Sequence, residues 1–186
     1  MTSDVVEVLT RSQAAILRQV HRALLVGGEE PVRTALFDDA TVLLNEHLAV
    51  VEDSVIPAIT SDTTARAVLQ LIWSAAAVKQ SLAESFNVAE LRPNELNKAV
   101  LHLCGQLYPY LELECTVLIP AIEAELDQTE RAVIGADIAV RLQRVDAPER
   151  DSPTPGHAAD RARALIREAQ VVLGSLSPVD IAIKRH

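Results

Sequence analysis

The sequence has few aromatic residues and few glycines. Phenylalanine, tryptophan and tyrosine together account for 3% of its 186 residues and 6 residues are glycine, whereas hydrophobic residues make up 49%. The core must therefore be built from Leu, Val, Ile and Ala, which suits close-packed helices better than a β-sandwich, and tight turns must be few. This composition predicts an all-α fold, and the length suits one well-buried domain.

The sequence also lacks an excess of positive charge and a long apolar run. Its formal net charge is −9 and its pI is about 5.0, which argues against partners that are themselves negative, namely nucleic acids and anionic membranes. No stretch reaches the roughly 18 uncharged apolar residues of a membrane span. Asp4 and Glu7 lie where a signal peptide would be neutral or basic. We therefore expect a soluble, cytoplasmic protein that binds neither nucleic acid nor membrane.

Cysteines and catalytic motifs are scarce as well. Cys104 and Cys115 are 11 residues apart, and on one helix they would be separated by about 16 Å, which is too far for a disulfide. Free thiols in a reducing compartment are the simpler interpretation. The sequence contains no G-x-S-x-G, no glycine-rich phosphate loop and no C-x-x-C. We therefore expect no enzyme activity.

Apolar periodicity and capping residues predict four long helices and a shorter one. Asp4 with Glu7, and Asp127 with Glu130, have the spacing of capping boxes at helix starts. Short connections cannot cross the length of a bundle, so the four long helices are expected to alternate up, down, up and down. The predicted organisation is a bundle over residues 1–126, an accessory helix over 127–145, a Pro-rich linker over 146–157, and a C-terminal helix and tail over 158–186.

The third predicted helix spans about residues 63–89. Its apolar residues are expected to face the core, and Trp73 is expected to be a core residue rather than a platform for a ligand. The residues assigned to the core are Leu69, Trp73, Ala76 and Leu82.

The second and fourth helices repeat each other at an offset of 63 residues. Residues 44–59 align with residues 107–122, and Leu, Leu, Ile, Pro, Ala and Ile coincide at six places. Such self-similarity marks two elements that pack in related environments. In each repeat, a residue and its fourth neighbour, 47 with 51 and 110 with 114, lie on one stripe that faces the core.

This repeat resembles the haemerythrin-like (HHE cation-binding) family over about two thirds of the chain, from roughly Asp4 to Glu125. On helices two and four, that family carries a His, a Glu four residues later and a Pro ten residues later. His47 is followed by Pro57, and Glu114 is followed by Pro120 at the family's spacing. The resemblance implies a four-helix bundle with one His each on helices one and three, in which imidazoles and bridging carboxylates hold two iron ions.

Most of the ligand positions implied by the resemblance hold other residues. His47 and Glu114 are retained, whereas the helix-one His position holds Gln13, the helix-two Glu position holds Val51 and the helix-four His position holds Tyr110. The helix-three position falls near Val78 or Lys79. The resemblance therefore predicts a core polar cluster at the former metal site, formed by Gln13, His47, Val51, Lys79, Tyr110 and Glu114. Any metal retained there would be bound by His47, Glu114 and Tyr110, and an inward Lys79 would instead pair with Glu114.

A displaced metal site is the alternative. His21 lies eight residues after Gln13, and His102 lies eight residues before Tyr110. Because helices one and four run in opposite directions, both displacements point to the same end of the bundle, about 12 Å from the first site. Asp39 falls at the same level. His21, Asp39 and His102 could form such a site, although base rates for unpaired histidines favour surface positions.

Three functions follow from this pattern. The first is a haemerythrin-like protein that has lost its di-iron site, has no cofactor, and acts as a non-catalytic binding or regulatory module through a protein partner or as a homodimer. The second is a residual iron-binding protein that responds to O₂, NO or redox state. The third is a protein that binds a small ligand in the core pocket that the metals have vacated.

Overall fold

The computed structural model describes residues 4–25, 30–59, 64–85 and 93–143. Within these ranges the chain is helical and contains no strand, so the predicted all-α class is confirmed. None of the described helices has the length and apolar character that a membrane span requires. The predicted Pro-rich linker over 146–157 and the C-terminal helix within 158–186 lie outside the described residues.

Six α-helices account for most of the described chain. Asp4 caps the first of them, since its Oδ1 accepts a hydrogen bond from the Val6 N–H at 2.9 Å. The predicted capping box at Asp127 is also present, because Glu130 Oε2 accepts from the Asp127 N–H at 2.8 Å. The helices are α1 (Val5–Leu25), α2 (Glu30–Val50), α3 (Ala65–Ser85), α4 (Pro93–Leu113), α5 (Ile119–Glu125) and α6 (Gln128–Gln143).

The sequence repeat has a counterpart in the backbone. A π-helical turn follows α2 at Val51–Val55, and another follows α4 at Glu114–Leu118, again at an offset of 63. Each is followed by Ile-Pro-Ala-Ile. Proline lacks an N–H and its ring presses on the carbonyl four residues earlier, so Pro57 and Pro120 each remove one hydrogen bond from the regular α-helical pattern. The wider turn absorbs this interruption.

Contacts between the long helices establish their relative directions. Ser12 contacts His47, and the carbonyl of Ala23 contacts Arg33, so α1 and α2 are antiparallel. Thr64 contacts Glu125 at one end of α3 and Glu84 contacts His102 at the other, so α3 and α4 are also antiparallel. The α6 helix packs on α1 and α2, and its Arg141 reaches Asp53 in the first π-helical turn.

The orientation predicted for α3 is partly wrong. Leu82 is buried as expected, but Leu69 is 54% exposed, Trp73 is 76% exposed and Ala76 is exposed. The residues of α3 that face the core form a different stripe: Leu71, Ala75, Val78 and Leu82. Trp73 lies two residues after Leu71, which is about 200° around the helix, so it points away from the core.

Candidate functional site

Polar side chains from three helical segments meet in the core around Glu114. Its Oε2 accepts a hydrogen bond from Gln13 Nε2 at 2.7 Å and contacts His47 Nε2 at 2.9 Å. Its Oε1 accepts from the Tyr110 hydroxyl and lies 3.0 Å from the same imidazole nitrogen. All four side chains are fully buried. One carboxylate is therefore surrounded by three donors from α1, α2 and α4.

Two further residues extend this arrangement. Ser12 Oγ lies 3.0 Å from His47 Nδ1, and the Cys115 thiol donates to Gln13 Oε1 at 3.6 Å. Together, Ser12, Gln13, His47, Tyr110, Glu114 and Cys115 are called the core polar network below. Every buried side-chain oxygen and nitrogen in it has a hydrogen-bond partner. Buried polar groups remain stable in a protein interior when they satisfy one another in this way.

The second π-helical turn contributes two adjacent residues to the network. Both Glu114 and Cys115 are buried, although neighbours on an α-helix are rotated by about 100° from each other. The turn is wider than an α-helical turn and lets two consecutive side chains face the core. The equivalent position of the first π-helical turn, Val51, is buried and apolar, so that half of the repeat supplies no carboxylate.

The electrostatic environment keeps the Tyr110 hydroxyl protonated. Burial raises the pKa of Tyr110 well above its usual range, and the neighbouring Glu114 charge and hydrogen bond act in the same direction. The hydroxyl is therefore a donor to Glu114. His47 Nε2 faces both carboxylate oxygens, which accept hydrogen bonds, so the tautomer with its proton on Nε2 fits this contact. The imidazole and the Tyr110 ring pack edge to face, with their centroids 6.4 Å apart.

The structure brings together four of the six residues assigned to the core polar cluster: Gln13, His47, Tyr110 and Glu114. Lys79 is not among them, and the proposed pairing of Lys79 with Glu114 is wrong. The Lys79 side chain is exposed and its Nζ pairs with Glu52 at the surface. The reason is helical phase, because Val78 faces the core and the next residue is rotated by about 100°. Sequence reasoning missed Ser12, whose only signal was its place beside Gln13.

His21 and His102, two residues of the displaced-site alternative, contact different partners. His21 Nε2 lies 3.3 Å from the Tyr108 hydroxyl, His102 Nε2 lies 3.7 Å from Glu84 Oε2, and Asp39 is exposed. In the part of the chain that the structure describes, no group of three or more His, Cys, Asp or Glu residues is arranged to hold a metal ion. The displaced site is therefore wrong as a three-residue constellation.

Next to His21 lies a second buried thiol. Tyr108 hydrogen-bonds to Cys104, and burial raises the pKa of the Cys104 thiol to about 11, with the Tyr108 hydrogen bond lowering it in part. Burial also raises the pKa of Tyr108. Both cysteines are free, as their spacing predicts, and both are buried. A neutral, buried thiol is a poor nucleophile and a poor metal ligand.

The core polar network does not fit a di-iron centre. Two cations in an apolar interior need several imidazoles and at least two carboxylates, whereas the network offers one of each. Tyr110 could bind iron only as a phenolate, and its raised pKa opposes that form. The oxygens of Glu114 are already engaged by three donors. Hydrogen bonds thus occupy the positions where metal bonds would be needed.

The chain of contacts from Ser12 through His47 to Glu114 has the connectivity of a hydrolytic triad, but its surroundings do not suit that chemistry. Ser12 is 6% exposed and lies in the middle of α1. Backbone N–H groups inside an α-helix are committed to helix hydrogen bonds, so none is free to stabilise an oxyanion next to this hydroxyl. The three residues form a structural relay of hydrogen bonds.

Comparisons of the chain with known protein families, with curated proteins and with solved structures found no match. The resemblance to the haemerythrin-like family therefore rests on the residues and spacings described above.

Proposed function

We propose that this protein is a haemerythrin-like, up-down-up-down four-helix bundle that has lost its di-iron site and acts as a non-catalytic binding or regulatory module. The antiparallel pairs α1–α2 and α3–α4 support the bundle topology. The two π-helical turns at the repeat offset support the family resemblance.

The observation that carries the proposal is the closed hydrogen bonding around Glu114. At the place where the family would hold cations, the charge of Glu114 is offset by Gln13, His47 and Tyr110. A buried carboxylate needs such compensation whether a metal or a set of donors supplies it. Because the donors already do so, the fold does not need a metal to be stable. Activity is then expected at the surface, through contact with a protein partner or a second copy of the chain.

Iron content is the direct test. The full-length protein, purified from iron-supplied cells without chelators, is expected to contain far less than one iron per chain by elemental analysis. Its thermal midpoint is expected to be the same with and without a strong chelator, because no bound ion contributes to folding. Two tightly held irons per chain, or a chelator-dependent midpoint, would contradict the proposal.

A second experiment tests the family resemblance by rebuilding the ligand set. Contacts of Thr64 with Glu125 and of Glu84 with His102 place residues 72–75 of the antiparallel α3 at the level of Glu114. Among these, Ala75 is buried, so we choose Ala75 for the helix-three ligand instead of Val78 or Lys79, which the sequence predicted. The variant to build combines the four substitutions Gln13→His, Val51→Glu, Ala75→His and Tyr110→His.

The matched control replaces Ala75→His by Lys79→His and keeps the other three substitutions, because Lys79 is exposed. We expect the Ala75 version to take up iron under anaerobic conditions and the Lys79 version to take up clearly less. Circular dichroism establishes that both variants are folded. Two folded variants that bind no iron would contradict the haemerythrin-like geometry.

A second candidate function has one observation in its favour. Glu114 lies within hydrogen-bonding distance of both His47 and Tyr110, so a single ferric ion could contact all three if the Tyr110 proton were lost. An iron-bound phenolate is coloured. Addition of ferric iron to the full-length protein, followed by absorption spectroscopy, therefore decides between the candidates, and Tyr110→Phe is the control that removes the coloured group. We expect no Tyr110-dependent band.

A further inference from the structure

Apolar side chains form a stripe on the outer surface of α3. Leu69, Trp73 and Ala76 are spaced four and three residues apart, so they lie along one face of the helix. Leu69 is 54% exposed and Trp73 is 76% exposed. Trp73 is the single tryptophan of the chain. A large aromatic side chain beside an exposed leucine is a typical anchor for a packed partner. This stripe is called the α3 outer face below.

The opposite half of the fold already has such a partner. The α6 helix packs on α1 and α2 and buries Ile138 and Leu142 there. The sequence repeat relates α2 to α4 and makes α3 the counterpart of α1. The α3 outer face is therefore the corresponding surface for a covering helix on the other half.

The chain itself contains a segment with a matching pattern. In residues 158–176, the positions 158, 162, 165, 169, 172 and 176 are apolar, which is the spacing of one continuous helical stripe: Ala158, Ala162, Leu165, Ala169, Val172 and Leu176. Arg163 and Arg167 fall on the opposite side of that stripe. Such a helix would bury one face against a surface and keep the other in water.

Charge favours this segment over a second copy of the chain. Residues 158–186 contain five Lys or Arg and three Asp or Glu, a net charge of +2, whereas residues 1–157 carry a net charge of −11 from twelve basic and twenty-three acidic residues. A basic segment is attracted to the acidic body that it would cover. Two copies of a chain with a net charge of −9 repel each other instead.

The end of α6 also lies close to α3. Arg141, two residues before the last described residue, contacts Asp53, and Glu52, the neighbour of Asp53, pairs with Lys79 of α3. From Gln143 the 14 residues 144–157 can span up to about 46–50 Å when extended. The 21-residue α3 is only about 32 Å long. Residues 158–176 can therefore reach any point along the α3 outer face.

We propose that residues 158–176 fold as an amphipathic helix that packs on the α3 outer face and covers Trp73. This helix would cover α3 and α4 in the same way that α6 packs on α1 and α2. The inference goes beyond the proposed function and does not depend on it, since it would hold whether or not the core retains a metal.

Trp73 reports on this contact in the full chain, because no other tryptophan contributes to the emission. In the wild-type protein, the fluorescence is expected to be that of a shielded indole, with weak acrylamide quenching. Leu165→Glu places a charge on the apolar stripe and should shift the emission to longer wavelength, with an increase of about twofold or more in the quenching constant as Trp73 regains its exposure. The control Gln170→Glu adds the same charge away from the stripe and should change neither quantity.

Circular dichroism and sedimentation are measured on the same samples. In both variants we expect a far-ultraviolet spectrum that shows a folded bundle, and a monomeric mass. A wild-type Trp73 that is already fully accessible to acrylamide would overturn the proposal, as would equal effects of Leu165→Glu and Gln170→Glu. Shielding that disappears on dilution together with a dimeric mass would also overturn it, because a second copy would then be the covering partner.

Discussion

Glu114→Gln tests the physical basis of the core polar network. The substitution keeps the shape of the side chain but turns one accepting oxygen into an NH₂ group that can only donate. Oε1 accepts from Tyr110 and Oε2 accepts from Gln13, while His47 Nε2 faces both. In either orientation of the new amide, at least one buried donor loses its acceptor and faces another donor.

The expected cost is large. Each buried donor that loses its acceptor costs about 1–3 kcal/mol, and hydrogen bonds to a charged acceptor contribute more than those to a neutral one. Since domains of this size unfold with about 5–15 kcal/mol, the variant should lose a substantial share of its free energy of unfolding. Urea titration followed by far-ultraviolet circular dichroism measures this loss, and the slope of the transition shows whether folding remains two-state.

Glu112→Gln is the matched control. Glu112 is exposed and lies two residues before Glu114 on the same helix, so the same chemical change there should shift the free energy of unfolding by no more than about 0.5 kcal/mol. A second arm replaces the polar groups together, with Ser12→Ala, Gln13→Leu, His47→Leu, Tyr110→Phe and Glu114→Leu. It should recover much of the loss because no buried oxygen or nitrogen of the network is left unpaired. A Glu114→Gln protein within about 1 kcal/mol of wild type would refute the reasoning.

Two further predictions concern the raised pKa values. Tyr110 has a higher pKa in the folded protein than in the unfolded chain, so its contribution to stability is complete below about pH 10 and is lost as the pH rises further. The Tyr110→Phe variant should therefore lose less stability between about pH 10 and pH 12 than the wild-type protein does. Thermal melts over this pH range measure the difference. The pKa of Cys104 is raised from 9.0 to about 11, and both cysteines are buried. A thiol reagent at pH 8 should consequently label neither Cys104 nor Cys115 in the native protein and label two thiols per chain in denaturant, and rapid labelling of the native protein would contradict this.

The sequence predicted the helices well because their signals are local. The capping residues Asp4 and Asp127 fix helix starts through hydrogen bonds to backbone groups two or three residues away, and those bonds are present. The repeat at an offset of 63 predicted that positions 47 and 114 face a shared interior, and His47 contacts Glu114. The capping hydrogen bonds act within one helical turn, and the positions that face the interior follow directly from helical spacing.

Prediction from the sequence was least accurate for residues whose burial depends on the exact rotational position around the helix or on contacts made by the whole fold. Lys79 was placed inward although it follows the buried Val78, and a one-residue error in phase turns a core position into a surface one. Trp73 was assigned to the core from the apolar spacing of α3, but the stripe that faces the core contains Leu71 and Ala75, so this assignment was also an error of helical phase. The π-helical turns could not be predicted from the apolar periodicity, because the extra residue in such a turn changes the rotational position of all the residues that follow it.

The two halves of the repeat explain why the network contains a single carboxylate. In the family that the sequence resembles, both π-turn positions would carry a Glu, and the two charges would be balanced by cations. Gln13, His47 and Tyr110 surround Glu114 with donors, and His47 is already shared between its two oxygens. A second carboxylate at Val51 would face the same interior with no donors left, and an uncompensated charge there costs several kcal/mol. Under the proposed function, loss of the metal and loss of one carboxylate are therefore linked. Where hydrogen bonds take the place of cations, this core accommodates Glu114 only if position 51 carries no second negative charge.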